Sequence, residues 1–140
     1  MHSTRENFAR PEDITAILAM KRIAVVGLSS DRSRPSNGVA HYMQRMGYEI
    51  IPVNPAEREI LGEKAYPSLL DIPEAPEVVD VFRRPEHVSA VVDEAIKIGA
   101  KAIWLQLGVV DEGAARRARE AGLIVVMDRC IKVDHALRSA

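Results

Sequence analysis

The feature that most constrains this chain is its rhythm: short, continuous, β-branched apolar runs alternate with longer segments of helical periodicity. Arg22 to Leu28 contains Ile23-Ala24-Val25-Val26. A strand that is apolar at successive positions must be covered on both faces, as in a parallel sheet. Tyr48 to Val53, Glu77 to Phe82, Lys101 to Leu107 and Leu123 to Met127 read as further strands. Between them the period changes. Ser36 to Met46 carries Val39, Tyr42, Met43 and Met46 on one face and stops at Gly47. Pro85 to Ile98 carries Val88, Val91, Val92, Ala95 and Ile98 and closes at Gly99. A further helix begins after Asp111, whose carboxylate can cap it, and ends at Gly122. Pro11 to Met20 reads as a short opening helix and Ile131 to Arg138 as a terminal one. The stretch from Ala56 to Pro76 is turn-rich, with one or two very short elements around Ala65-Tyr66 and Leu69-Leu70. The alternation predicts an open, mostly parallel α/β sheet of about five strands, with right-handed crossovers and helices on both faces.

Size and charge narrow the class. The 140 residues suit one domain, residues 1–140, with a single core. A net charge of -1 offers no basic field for nucleic acid. No apolar run approaches the ~20 residues of a membrane span, and the polar start Met1-His2-Ser3-Thr4 has no signal-peptide core. The single cysteine, Cys130, rules out an internal disulfide framework and suits a reducing cytoplasm. The four histidines show no metal-site spacing.

In such sheets ligands lie beyond the carboxyl ends of the strands, near the point where strand order reverses. Five loops fall there: Gly27–Ser36, Asn54–Arg58, Phe82–Pro85, Gln106–Asp111 and Asp128–Lys132. The first begins like a dinucleotide turn, yet after Gly27 the next glycine is Gly38. Ser29, Ser30, Ser33 and Ser36 supply hydroxyls, and Arg32 and Arg34 supply charge. A helix opening near Ser36 adds unpaired N–H groups, so the loop suits an anion, arginine being matched to phosphate. The plain alternative is a solvated loop with a serine cap.

The second loop lacks the acid that a dinucleotide fold places at the end of its second strand for the ribose hydroxyl. Asn54-Pro55 stands there instead, and Arg58 is close enough to meet a phosphate on the ribose. The alternative is a simple strand-ending turn. In the third loop Phe82 can cover a base and Arg83 can bind phosphate, or Phe82 is core and the arginine solvated. In the fourth, Gln106, Leu107 and Gly108 border the same crevice, and Gly108 permits close approach of amide groups. Trp104 is expected in the core. In the fifth, Cys130 either faces the crevice, where Arg129 and a helix start would favour its thiolate, or is a small buried residue. No catalytic triad or paired-carboxylate arrangement falls on these loops, Asp80 being inside a strand.

Taken together and in order, five fragments resemble the small stand-alone CoA-binding proteins, which are similar to the N-terminal domain of the succinyl-CoA synthetase alpha subunit. They are Ile23–Ser29, Gly47–Pro55, Asp80–Arg83, Trp104–Val109 and Val126–Cys130. The resemblance implies a Rossmann-like domain that binds coenzyme A, or an acyl-CoA, non-covalently. It implies that Gly27, Leu28, Ser29 and Ser30, with Arg34, Pro35, Ser36 and Asn37, cradle the phosphates. Asn54 and Pro55 would flank the nucleotide, while Phe82, Arg83, Gln106, Leu107 and Gly108 line the pantetheine path. Many relatives carry a basic residue directly after Asn-Pro. Here Ala56 stands there, and Arg58 is the substitute for the 3′-phosphate. The ligase's phosphohistidine segment has no counterpart, so the expected role is binding without catalysis. Three other readings stay open: an NAD(P)-dependent oxidoreductase domain, a CoA-thiol redox sensor using Cys130, and a homo-oligomer or a subunit docked onto a larger acyl-CoA enzyme.

Overall fold

The computed structural model describes residues 8–139. Its elements run α1 (Pro11–Leu18), β1 (Arg22–Val26), α2 (Pro35–Arg45), β2 (Glu49–Val53), β3 (Glu59–Ile60) and β4 (Glu63–Lys64). They continue with a 3-10 turn at Leu69–Asp71, β5 (Val78–Val81), a second 3-10 turn at Pro85–His87 and α3 (Val88–Ile98). β6 (Ala102–Leu105), α4 (Glu112–Glu120), β7 (Ile124–Val126) and α5 (Ile131–Ser139) complete the chain.

The main sheet has five strands in the order β2-β1-β5-β6-β7, and every adjacent pair is parallel. The fold is α/β and Rossmann-like. The order reverses between β1 and β5, which is where a crevice must open. Side chains alternate across the sheet. Val26, Val81 and Leu105 face the apolar stripes of α3 and α4, represented by Val92, Ala95 and Ala118. Val25, Trp104 and Val126 face the other layer, with Ile17 of α1, Met43 of α2 and Ile131 at the start of α5. Trp104 is completely buried, as expected of a core residue.

Several boundaries differ from the sequence reading. β1 ends at Val26, not at Leu28, because Gly27 leaves the ladder with φ 87°. β6 likewise ends at Leu105, so Gln106 and Leu107 belong to the loop beyond it. Pro85 opens a 3-10 turn, and the α-helix begins three residues later. The turn-rich stretch contains a hairpin the sequence did not signal. β3 and β4 pair antiparallel through Leu61-Gly62, whose φ angles are 55° and 77°. A leucine in the left-handed region is not the Asn or Gly that announces such a turn. The 3-10 turn at Leu69–Asp71 and the bridge from Tyr66 to Val53 account for the short elements expected nearby. Asp111 caps α4 as foreseen, accepting from the Ala114 N–H at 3.0 Å.

Asp80 lies in mid-strand, in register with Val25 and Trp104. It is 2% exposed, and its Oδ1 has no hydrogen-bond partner among the described residues. Burial pushes its carboxyl well above the usual carboxylate range.

Candidate functional site

Three strand ends meet at Gly27. Its N–H donates to the Val53 carbonyl at 3.0 Å, and the Phe82 N–H donates to the Val26 carbonyl at 2.9 Å. A Cβ at Gly27 would lie 2.3 Å from the Phe82 carbonyl oxygen and 3.1 Å from Arg83 Cδ. Only glycine lets these backbones come together while holding a positive φ.

The loop after β1 is fastened by its own polar groups. Ser29 N–H donates to Ser36 Oγ at 3.0 Å, and Asn37 Nδ2 donates to the Ser29 carbonyl at 2.9 Å. Asn54 Nδ2 reaches across from the end of β2 to the Leu28 carbonyl at 2.9 Å. Asp31 accepts from both the N–H and the hydroxyl of Ser33. These bonds, with the charge of Arg34 beside them, hold its carboxyl below the usual range. Ser36 is therefore not the helix cap. Pro35 opens α2 from Arg34, where no side chain caps the helix, and the Ser36 hydroxyl instead shapes the loop.

Two crevices open beside Gly27. The larger, about 730 Å³, lies between the start of α2 and the loops after β5 and β6. Ser29, Pro35 and Ser36 form one wall, with Arg34, Arg83 and Arg84 around it, and Phe82 lies against them. Gln106, Leu107, Gly108 and Cys130 form the other wall. Arg83 and Arg84 make no side-chain hydrogen bond or ion pair among the described residues. The positive end of α2 borders the same space, so positive charge of the kind an anion favours gathers there. The second crevice, about 510 Å³, lies toward α3 and shares Gly27, Phe82 and Arg83 with the first. Asn54 and Pro55 line it together with Pro67, Ser68, His87, Ala90 and Glu94.

The far wall is tied down as firmly as the first loop. Trp104 Nε1 donates to the Arg129 carbonyl at 2.8 Å, and Gly108 N–H donates to Asp128 Oδ1 at 2.8 Å. Gln106, 4% exposed, accepts from the Ile131 N–H at 3.3 Å. Cys130 is half-buried and faces the crevice. The expected help from Arg129 to its thiolate is not available, because that guanidinium is forked onto the buried Asp134 carboxylate. The pairing raises the Arg129 pKa.

Among the residues singled out from sequence, Leu28, Ser30, Asn37 and Arg58 line neither crevice. Leu28 is wholly buried, Asn37 is scaffold, and the Arg58 carbonyl accepts from Ala65 N–H on the way into the hairpin. The Ser30 hydroxyl donates to Glu57. An acid therefore does stand against the first loop, three residues beyond the position where the end of β2 would carry it. Sequence position at the strand end concealed it, because the chain turns back at Asn54-Pro55. Ser68, His87, Ala90 and Glu94 were not foreseen either. The last three, with Val91, are spaced i, i+3, i+4, i+7 from the end of the 3-10 turn into α3, a pattern visible in the sequence but overshadowed by the apolar face beside it.

No group of three or more His, Cys, Asp or Glu among the described residues is placed to hold a metal ion. No helix among them is long and apolar enough to cross a membrane.

Residues 21–136 match the model of a CoA binding domain. An uncharacterized protein, YneT, of Bacillus subtilis is 45% identical over 132 residues, covering 94% of this chain and 98% of that protein. The ADP-forming acetate–CoA ligase II of Archaeoglobus fulgidus is 31% identical over 104 residues, 72% of this chain but only 16% of the ligase. A solved structure of a hypothetical protein from Pyrococcus horikoshii superposes with a TM-score of 0.92 at 43% identity, each chain covered in full. By these measures the chain belongs to the family of CoA-binding domains.

Proposed function

We propose that this protein binds coenzyme A or an acyl-CoA non-covalently across the paired crevices, in the cytoplasm and as one domain, and catalyses no reaction of its own. The observation that carries this reading is the junction at Gly27. There Gly27, Phe82 and Arg83 border two crevices, and Arg83 and Arg84, without acidic partners among the described residues, stand with the start of α2 on the larger one. A ligand with phosphates at its middle and an arm on either side suits that layout. The phosphates lie at the junction against Ser29, Ser36 and Arg83, the nucleotide extends past Asn54-Pro55, and the amide-rich pantetheine arm runs along Gln106, Leu107 and Gly108. The absence of the dinucleotide glycine pattern after Gly27 weighs against nicotinamide chemistry. Calorimetric titration of CoA, dephospho-CoA and NADP at one salt concentration tests the reading. CoA binding with NADP inert supports it. NADP binding without CoA overturns it in favour of an oxidoreductase domain. Weaker binding of dephospho-CoA than CoA identifies a cationic contact to the 3′-phosphate, and an Arg58→Ala variant then asks whether Arg58 makes it.

A second reading is favoured by one observation, the half-buried Cys130 on the wall of the pantetheine crevice. Its thiolate would attack a CoA disulfide. A sulfur–sulfur bond forms between Cys130 and one CoA, the original disulfide breaks, and the other CoA leaves as its thiolate. Mass spectrometry after incubation with CoA disulfide should show one CoA adduct, absent in Cys130→Ser. An adduct that persists in the serine variant rules this reading out.

A further inference from the structure

We infer that Asp128 is a positioning residue for the larger crevice: it locks the peptide between Leu107 and Gly108 so that the Leu107 carbonyl is presented to an amide N–H of the ligand's arm. The inference rests on the reading that the paired crevices hold CoA, and it gives a role to a residue that lines neither of them.

The geometry starts in the loop after β6. Val109 N–H donates to the Gln106 carbonyl at 2.9 Å, which closes a four-residue turn over residues 106–109. Gly108, third in that turn, has φ 80°. A positive φ at the third position marks a type II turn. Types I and II share the same closing bond and differ mainly in which way the central peptide is turned. The closing bond therefore does not fix the peptide between Leu107 and Gly108. Asp128 does so from the loop after the neighbouring strand β7, its Oδ1 accepting from Gly108 N–H at 2.8 Å. Asp128 itself holds φ 58°, a region that aspartate enters more readily than most side chains. The segment that carries it is pinned on both sides of Cys130. Trp104 Nε1 donates to the Arg129 carbonyl, and Gln106 Oε1 accepts from Ile131 N–H.

Peptide planarity supplies the next step. The peptide is trans, so its N–H and C=O point in opposite directions. With Gly108 N–H turned toward Asp128, the Leu107 carbonyl is turned away from it. Leu107 and Gly108 line the larger crevice, whereas Asp128 lies outside it. That carbonyl accepts no hydrogen bond among the described residues. In the preceding residue, Gln106, the amide oxygen is used by Ile131 N–H, and Nε2 has no partner among the described residues. A backbone N–H can bond only the oxygen of a side-chain amide, so Gln106 is held with its nitrogen as the spare group. A spare acceptor and a spare donor thus stand on adjacent residues of one wall. Together they complement a secondary amide, which offers one N–H and one C=O. The pantetheine arm of CoA carries amides of this kind, and its adenosine part carries none.

The test is calorimetric titration of the whole protein with CoA and with adenosine 3′,5′-bisphosphate, which lacks the arm. Asp128→Ala and Asp128→Gly both remove the acceptor, and glycine does so without disfavouring the left-handed backbone. Both variants should bind CoA about tenfold more weakly, as expected for one hydrogen bond to a charged group, and bind the bisphosphate within about twofold of the wild type. Asp128→Asn keeps an oxygen acceptor and the backbone preference, and should hold CoA within about threefold of the wild type. In hydrogen exchange followed by NMR, the Gly108 amide should be protected in the wild type and in Asp128→Asn, and should exchange faster in the other two. Undiminished CoA affinity in both Asp128→Ala and Asp128→Gly overturns the inference. So does an equal loss of CoA and bisphosphate binding, which would mean that the residue only holds the fold. A loss in Asp128→Asn as large as in Asp128→Ala also overturns it. If the wild type binds neither ligand, the CoA reading itself fails, an outcome distinct from loss of the arm's contribution alone.

Discussion

Replacing Asp80 by asparagine should abolish a specific pH dependence of stability. Asp80 sits in the central strand β5 between Val25 and Trp104, with its Oδ1 unpartnered among the described residues. Its ordinary pKa is 3.8, and burial raises it well above that in the folded state. The sign follows from proton counting. Below pH 3.8 the folded and unfolded chains both hold the proton, so folding is not penalised. Above that pH the unfolded chain releases the proton while the folded chain keeps it. Stability then falls by about 1.4 kcal/mol per pH unit until the pH reaches the folded-state pKa, beyond which the slope vanishes. Asparagine has nearly the same shape and does not titrate. Between pH 4.5 and 5.5 the wild type should therefore lose more stability than Asp80→Asn, by at most about 1.4 kcal/mol. With a urea m-value of about 1–3 kcal/mol/M, that upper bound is about 0.5–1.4 M in the midpoint shift. Urea unfolding of both proteins at the two pH values reads this directly. Parallel shifts in the two proteins would refute the reasoning, because they would mean that Asp80 is ionised or well partnered in the fold.

Other substitutions test the scaffold and the larger crevice. Gly27→Ala should cost about 1–3 kcal/mol of stability, since it combines a positive φ with a backbone contact at 2.3 Å, and thermal unfolding would register the loss. Trp104→Phe removes the 2.8 Å bond to the Arg129 carbonyl and should cost about 1–3 kcal/mol, with faster hydrogen exchange around Cys130 and Ile131. Arg83→Ala should leave the melting temperature nearly unchanged, because the guanidinium is unpaired among the described residues, yet weaken CoA binding by about tenfold or more in calorimetry.

The parts legible in the sequence were those governed by local chemistry. Apolar runs such as Ile23–Val26 and Ala102–Leu105 announced buried parallel strands, and the α3 stripe of Val88, Val91, Val92 and Ala95 announced a helix packed on them. Asp111 could be read as a cap because its bond to Ala114 spans three residues. Gly27, Phe82 and Gln106 were expected at the crevice because strand ends must gather there once the sheet is parallel. The hairpin escaped notice because Leu61 takes a left-handed conformation that local preference disfavours and tertiary contacts impose.

What the sequence by itself determined was the succession of strands and helices, and hence the set of loops that converge on one edge of the sheet. Period and turn chemistry act over a few residues and are written into the chain. Only the tertiary structure decided which polar groups on those loops remain free. Ser30 is taken up by Glu57, 27 residues away, Arg129 by Asp134, and Asn54 by the Leu28 carbonyl 26 residues back, whereas Arg83 and Glu94 are left without partners among the described residues. That division depends on distances of a few ångströms between residues far apart in the chain. Each pairing wins or loses against solvent only once the backbone has brought the groups together.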